Sequence, residues 1–264
     1  MCSGSATVNL SELGELGLLA ELERRGLAVG IADDAAQVGG LVVTQDALVE
    51  DVHFRLGEIS WRDLGYRAGA VNISDLAASG ARPLALLVAI GAPPETRAED
   101  IFELYEGIGE TGVPVLGGDT TRAPQLLLSV TALGRAERTP GRGGARPGDL
   151  LVVTGPLGGK PARPPLRVEE GVRLARHAHA MLDISDGLAR DAGHIAARSG
   201  VRCVIELDRV PLAEGATVAD LGYGEDYELL AAVEDADGFT VIGRCEEGEG
   251  VEGLGSLGGW DHFA

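Results

Sequence analysis

Short apolar segments alternate with longer amphipathic ones along this chain, and the two periodicities limit the folds that it can adopt. Residues 41–44, 84–90 and 126–133 are largely apolar runs, which are typical of buried strands. Residues 61–78 and 98–110 place apolar side chains at helical spacing, which predicts helices. Strands that alternate with helices in this way predict an α/β fold.

A glycine- and proline-rich segment divides the chain into two parts. Residues 139–148 contain four glycines and two prolines, a composition in which neither a helix nor a strand is stable. A second series of strand-like and helix-like segments follows this one. We therefore predict two α/β domains, at 1–140 and 141–264, in agreement with a length of 264 residues.

The charge balance and the cysteines exclude several classes of protein. The chain has 41 acidic and 22 basic residues, a net charge of −19, so neither nucleic acid nor an anionic membrane is expected as a partner. The cysteines Cys2, Cys203 and Cys245 have no paired spacing that would indicate a zinc site or a disulfide. The acidic N-terminal segment is not expected to act as a signal peptide, and the apolar stretch at 84–92 is too short to span a bilayer. These features predict a cytoplasmic protein.

Several aspartates stand beside glycine, serine or threonine next to predicted strands and helices. Asp46 is expected to end the strand at 41–44, and Asp119 the strand that precedes it. If the segment ends meet at one sheet edge, the aspartates meet there too. Carboxylates that are buried together are costly unless cations neutralise them, and oxygen ligands suit Mg²⁺. Ordinary surface aspartates are the simpler alternative, and Asp75 and Asp186 could instead cap the helices that follow them.

Lysine-dependent phosphate binding has little support in this chain. Lys160 is the only lysine among the basic residues, and its surroundings do not match the glycine-rich lysine loop of nucleotide-binding proteins, because Pro161 stands where a serine or threonine is required. If the protein uses ATP, metal ions and arginines must therefore hold the phosphates.

An ordered set of motifs links the chain to a known family. The motifs lie at residues 30–36, 44–46, 53–54, 70–80, 117–122, 183–188, 224–229 and 259–263. Each is weak alone, but their order over nearly the whole chain is specific. The chain resembles the thiamine-monophosphate kinases, which belong to the aminoimidazole ribonucleotide synthetase superfamily.

This resemblance implies a fold, a reaction and a site. It implies two α/β domains of the aminoimidazole ribonucleotide synthetase-like type, with N-terminal domains that pair into a shared β-barrel in a homodimer. The implied reaction is the ATP-dependent phosphorylation of thiamine monophosphate to thiamine diphosphate, with several Mg²⁺ ions. The implied metal ligands are Asp34, Thr44, Gln45, Asp46, Asp75, Asp119, Asp183 and Asp186, with Gln45 acting through its backbone. The implied nucleotide contacts are Gly118, Asp119, Arg142 and Ser185, and the implied thiamine-phosphate contacts are His53, Glu225 and Trp260.

The chain also departs from the family pattern. Ala32 and Tyr223 each replace a glycine, and Gln45 replaces a serine or threonine. After Gly159 the chain passes directly to the next helix through a lysine- and proline-containing segment, so a shortened C-terminal domain is expected. Two alternative functions follow: another ATP-dependent enzyme of the superfamily, of the purine-synthesis type, or a degenerate homologue that binds metal or nucleotide without catalysis.

Overall fold

Residues 9–31 and 33–260 are described in the computed structural model of this protein. Cys2, Ala32 and residues 261–263 of the last motif, which were considered above, lie outside these residues. No helix among the described residues is long and apolar enough to cross a membrane.

The N-terminal part of the chain forms a five-stranded sheet with helices beside it. Its strands follow the spatial order β1-β2-β5-β3-β4, and every neighbouring pair is antiparallel except β3–β4. The strands are β1 (Ala36–Val38), β2 (Leu41–Val49), β3 (Arg82–Ala92), β4 (Val115–Arg122) and β5 (Leu127–Arg135). The helices are α1 (Leu10–Arg24), α2 (Trp61–Ala78) and α3 (Ala98–Gly109).

The C-terminal part forms a six-stranded sheet of its own. The spatial order is β11-β8-β10-β6-β9-β7, with β11–β8 as the parallel pair among antiparallel ones. The strands are β6 (Leu150–Val153), β7 (Ala180–Asp183), β8 (Arg202–Ile205), β9 (Leu229–Val233), β10 (Thr240–Glu246) and β11 (Gly250–Glu252). The helices are α4 (Val168–Ala175) and α5 (Leu188–Ser199), and short 3-10 turns lie at Leu207–Arg209 and Val218–Gly222.

Helix α2 lies in the middle of the molecule and is buried along most of its length. Ser60 caps its start by accepting a hydrogen bond from the backbone N–H of Asp63 at 3.0 Å. Two glycines let other helices approach it closely. A Cβ at Gly65 would lie 1.9 Å from a backbone oxygen of α3, and one at Gly171 of α4 would lie 2.2 Å from the backbone oxygen of Ala77. Because α2 also contacts β2, β5, β7 and β9, its side chains reach both sheets.

The fold corrects how the sequence analysis placed the aspartates. Strand β2 pairs with β5 continuously from Val42 to Val49, so Asp46 lies inside the strand and does not end it. Asp119 likewise lies inside β4. Asp75 lies within α2, and α5 begins after Gly187 with no side-chain cap, so helix capping by Asp75 or Asp186 is wrong. Strands β7 and β11, which sequence reasoning missed, are short apolar or edge segments without an alternating pattern.

Candidate functional site

A cavity of about 680 Å³ lies between the two sheets, beside α2. Strand β2 and the loop after it line one side, and the turns after β7 and before β9 line the other. The residues that line it are Gln45, Asp46, Ala47, Leu48, Val49, Val52, His53, Val71, Asp75, Lys160, Asp183, Ser185, Asp186, Tyr223, Glu225, Tyr227 and Trp260. Most of the residues proposed from the sequence therefore meet here, although they come from distant parts of the chain.

Three aspartates form a cluster that we call the aspartate cage: Asp34, Asp75 and Asp183. One carboxylate oxygen from each lies within 4.8 Å of those of the other two. Burial, followed by the charges of neighbouring carboxylates, raises the pKa of Asp183 to about 8 and that of Asp75 well above its usual range. Burial also raises the pKa of Asp34, although the Arg142 guanidinium opposes the shift. The donor set is all oxygen, which fits Mg²⁺.

Helix α2 fixes the aspartate cage through hydrogen bonds to both sheets. The Thr44 hydroxyl on β2 donates to Asp75 at 2.6 Å, and the Ser74 hydroxyl on α2 donates to Asp183 on β7 at 2.5 Å. The side-chain oxygen of Asn72 accepts the backbone N–H of Asp46 at 3.0 Å. Asp75 and Asp183 are therefore brought together by one central helix, and not by meeting at one edge of a parallel sheet.

Arg142 lies beside the cage at the start of the C-terminal part of the chain. Its guanidinium Nε donates to Asp34 at 2.9 Å, and its backbone N–H donates to Asp33 at 2.7 Å. The segment that contains Gly141 is thus held against the segment of paired aspartates. Arg142 is the positive charge nearest to Asp34 and can bind an anion on the same side of the cage.

His53 and Glu225 both line the cavity, His53 from the loop after β2 and Glu225 from the turn before β9. The Nδ1 atom of His53 accepts the backbone N–H of Val49 at 3.0 Å, so in the neutral ring Nε2 carries the proton. Glu225 has a positive φ of 63° and accepts a hydrogen bond from the largely buried Arg67 on α2. The imidazole is therefore oriented as a donor, and the carboxylate is neutralised in part by a neighbour.

Trp260 ends the described chain at the mouth of the cavity, and 49% of its surface is exposed. Its backbone N–H donates to the backbone oxygen of Asp186 at 3.0 Å, and Arg190 binds its backbone oxygen. Arg190 also approaches the Asp186 carboxylate at 3.2 Å. The backbone of Trp260 is thus held beside that of Asp186, which lines the same cavity.

Some predicted residues lie elsewhere. Gly118 and Asp119 are on the exposed edge strand β4 and are not among the residues that line the cavity. The side chain of Gln45 bonds to Ser129 at 3.0 Å and Thr131 at 3.3 Å on β5, so its backbone is the part that remains for the cavity. The roles of these residues stay predictions.

Sequence reasoning missed several residues that build the site. Asn72 and Ser74 were part of a noted motif but were not assigned a role, and Arg67, which lies one to two helical turns before them, gave no signal. Lys160 was noted as the only lysine and Tyr223 as a departure from the family pattern, and neither was assigned a role in the site, yet both line the cavity. In the sequence, Tyr223 lies directly before the motif at 224–229, and Lys160 lies directly after two glycines; these positions were the only indication of a role in the site.

Comparison with known proteins gives matches over nearly the whole chain. The N-terminal domain of AIR synthase related protein matches residues 32–136, and the C-terminal domain matches residues 159–255. Thiamine-monophosphate kinase of Pyrococcus horikoshii is 34% identical over 285 residues, covering 88% of this chain and 91% of that protein. The protein of the same name from Mycobacterium tuberculosis is 35% identical over 310 residues, covering 96% and 93%.

A solved structure has the same fold. AaThiL in complex with AMPPCP and TMP superposes with a TM-score of 0.90 at 31% identity, covering 98% of this chain and 100% of that one. The alignment with the M. tuberculosis protein spans 310 residues whereas this chain has 264, so that relative contains segments that this chain lacks. That the missing residues follow Gly159 stays a prediction.

These matches confirm both the two-domain fold and the resemblance drawn from the motifs. Two family domains together match most of the chain, and relatives above 30% identity match nearly all of it. The chain belongs to the AIR synthase related family and, within it, to the thiamine-monophosphate kinases.

Proposed function

We propose that this protein transfers a phosphoryl group from ATP to thiamine monophosphate and so forms thiamine diphosphate. The observation that carries the proposal is the cavity, which combines Asp75 and the buried Asp183 with Trp260 at its mouth, in a chain with thiamine-monophosphate kinase relatives. AaThiL, which has the same fold, was solved with AMPPCP and TMP, and this supports ATP as co-substrate and thiamine monophosphate as acceptor.

The acceptor explains why the cavity needs charge neutralisation more than a base. A phosphate monoester has a second pKa near about 6, so it is mostly dianionic at neutral pH and already nucleophilic. Two unit charges about 4 Å apart repel by about 4 kcal/mol at an effective dielectric constant near 20, and each reacting phosphate carries more than one charge. The neutral His53 ring presents a proton at Nε2, so it suits binding a phosphate oxygen and not proton removal.

We propose that Mg²⁺ binds at the aspartate cage, together with Asp46, Asp119 and Asp186, the Thr44 hydroxyl and the Gln45 backbone. The support is chemical: buried carboxylates within 4.8 Å of one another, with raised pKa values, favour a proton or a cation between them. Bound Mg²⁺ supplies positive charge that neutralises phosphate oxygens in phosphoryl transfer. The chain's own contribution is to hold these carboxylates in place through Thr44 and Ser74.

The two substrates are assigned to opposite sides of the cage. We propose that Arg142, Ser185, Gly118 and Asp119 contact the nucleotide and that His53, Glu225 and Trp260 contact thiamine monophosphate. The indole of Trp260 suits the cationic thiazolium ring, because a cation is attracted to the face of an aromatic ring. Glu225 suits the pyrimidine end, where a carboxylate can accept hydrogen bonds.

We further propose that the protein works as a cytoplasmic homodimer. The support is the N-terminal sheet, whose edge strand β4 is exposed along nearly its whole length and whose outer face exposes several large apolar side chains. These are Val38, Leu84, Leu87, Leu116 and Leu127. An apolar sheet face with open edges favours a second copy that completes a shared barrel. Such pairing would also bring Gly118 and Asp119 of β4 to the interface.

A turnover assay tests the proposed function. Purified protein is incubated with ATP, MgCl₂ and thiamine monophosphate, and thiamine diphosphate and ADP are quantified. We expect the two products in equal amounts, and none when Mg²⁺ is chelated. Absence of thiamine diphosphate at all Mg²⁺ concentrations would refute the proposal.

A further inference from the structure

Among the Asp, Glu, Lys and Arg residues that line the cavity, all are acidic except Lys160. Five carboxylates line it, from Asp46, Asp75, Asp183, Asp186 and Glu225. Lys160 is the only lysine of the chain and, among the described residues, the only lysine or arginine that lines this cavity. A phosphate that enters the cavity is therefore repelled by these carboxylates and attracted by the Lys160 ammonium.

The backbone of Lys160 is held in an unusual conformation. Its φ is 43°, in the left-handed region that a long side chain rarely adopts. The turn is fixed by the buried Asp226, whose Oδ1 accepts the backbone N–H groups of Gly158 at 2.8 Å and Gly159 at 3.0 Å. A strained backbone that a buried side chain holds in place suggests that the position of the Lys160 side chain matters for function.

The side chain of Lys160 is directed by an aromatic ring. Its Nζ lies 4.2 Å from the centroid of the Tyr223 ring, a cation–π contact that keeps the ammonium at the cavity wall. Tyr223 precedes Glu225 by two residues, and Asp226, which fixes the lysine turn, follows Glu225 directly. The ammonium thus contacts a ring in the same turn as Glu225, and both Lys160 and Glu225 line the cavity.

We propose that Lys160 binds a phosphate oxygen of the acceptor, thiamine monophosphate, and that Tyr223 positions it. This inference rests on the proposed function and adds a specificity-determining residue to it. Asp220 also attracts the ammonium, but its carboxylate already accepts the N–H and hydroxyl of Thr217, each at 2.7 Å. Lys160 can therefore turn to a phosphate without leaving that carboxylate unpaired.

Two substitutions of Lys160 distinguish the effect of its charge from the effect of disturbing its positive-φ backbone. Lys160→Asn removes the charge and tolerates a positive φ, whereas Lys160→Arg keeps the charge. Arg97→Gln, at an exposed residue remote from the cavity, controls for the loss of one positive charge. The dissociation constant for thiamine monophosphate is measured by calorimetry in EDTA, and KM for both substrates and the melting temperature are measured as well.

We expect Lys160→Asn to weaken binding of thiamine monophosphate by about 10-fold, as for the loss of one charge-assisted hydrogen bond in an open site. Its KM for ATP and its melting temperature should stay near the wild-type values. Lys160→Arg should recover most of the affinity, and Arg97→Gln should change nothing. For Tyr223, substitution by Leu should raise KM for thiamine monophosphate with kcat unchanged, and Tyr223→Phe should behave as wild type.

The assignment is overturned if Lys160→Asn binds thiamine monophosphate as tightly as wild type. It is also overturned if only KM for ATP rises, which would place the ammonium at the donor phosphates. A parallel rise in both KM values with a lower melting temperature would show a structural role instead. Failure of the proposed function is distinct, because it would appear in the wild-type protein as a lack of thiamine diphosphate.

Discussion

Replacing one carboxylate of the aspartate cage should stabilise the protein when no metal is present. In Asp183→Asn the charge is removed while the amide oxygen can still accept the Ser74 hydroxyl, which bonds to Asp183 at 2.5 Å. Two unit charges at the 4.8 Å limit of the cage repel by about 3 kcal/mol at an effective dielectric constant near 20. Wild-type protein avoids part of this repulsion by binding a proton, because the pKa of Asp183 is raised to about 8.

The size of the effect follows from that proton. Keeping a carboxyl protonated at pH 7 costs about 1.4 kcal/mol for each unit by which the pH exceeds its unfolded pKa of about 4. The amide avoids this cost of about 4 kcal/mol but buries an NH₂ group, so we expect a net gain of about 1–3 kcal/mol. For a chain of this size that corresponds to a rise in Tm of roughly 3–10 °C in EDTA.

The pH dependence has a defined sign. The folded pKa of Asp183 lies above its unfolded value, so wild-type stability from this group is complete below about pH 4 and is lost as the pH rises through about 8. The amide does not titrate, and the advantage of Asp183→Asn should therefore be small at pH 5 and largest at pH 8. With MgCl₂ and an unhydrolysable ATP analogue, the order should reverse, because the variant has lost a ligand.

Differential scanning calorimetry in EDTA and in MgCl₂ measures these shifts. Asp208→Asn, at an exposed aspartate of the C-terminal part, is the matched control and should change Tm by less than about 2 °C. A lower Tm of Asp183→Asn in EDTA, or an advantage that does not change with pH, would refute the idea that these carboxylates repel one another.

Three further predictions test other parts of the site and fold. Trp260→Ala should raise KM for thiamine monophosphate by about 2- to 30-fold and leave KM for ATP nearly unchanged, and Trp260→Phe should recover much of the loss. If Trp260 only packs against its neighbours, Trp260→Ala should instead lower Tm and raise KM for both substrates. Asp46→Asn and Asp119→Asn should each abolish turnover with the fold intact, as judged by circular dichroism; near-normal activity at saturating Mg²⁺ would exclude the residue as a ligand. Gly65→Ala should cost about 3 kcal/mol or more in unfolding free energy, because its methyl would overlap a backbone oxygen of α3, whereas Gly109→Ala meets open space; equal chemical denaturation midpoints would contradict this packing.

The sequence predicted the elements well where periodicity was strong. Helix α2 has the predicted limits at Trp61 and Ala78, and strands β3 and β5 lie at the predicted apolar runs. Strand β2 extends past its apolar run because its backbone pairing with β5 continues to Val49. The sequence of a short segment does not show which strand it will pair with. Strand β7 ends in Asp183, so its apolar run covers only Ala180 to Leu182, which is shorter than the run of about four residues that indicates a strand.

The sequence predicted the aspartates of the site but not the residues that hold the site together. The aspartates could be found because acids beside glycine and serine in apolar surroundings are unusual, and the family motifs contained them. Ser74, which donates to Asp183, and Arg67, which donates to Glu225, could not be assigned a role, because each contacts a residue more than 100 positions away. Lys160 was visible as the only lysine, but its place in the cavity depends on a turn fixed by Asp226.

The proposed phosphoryl transfer requires an acceptor whose charge must be neutralised but whose reaction needs no general base. The decisive measurement compares the rates of ADP formation with thiamine monophosphate and with free thiamine as acceptors, at the same concentrations of protein, ATP and MgCl₂. We predict rapid formation of thiamine diphosphate from thiamine monophosphate and no measurable phosphorylation of free thiamine, whose hydroxyl must lose a proton. Equal turnover of the two acceptors would contradict the account.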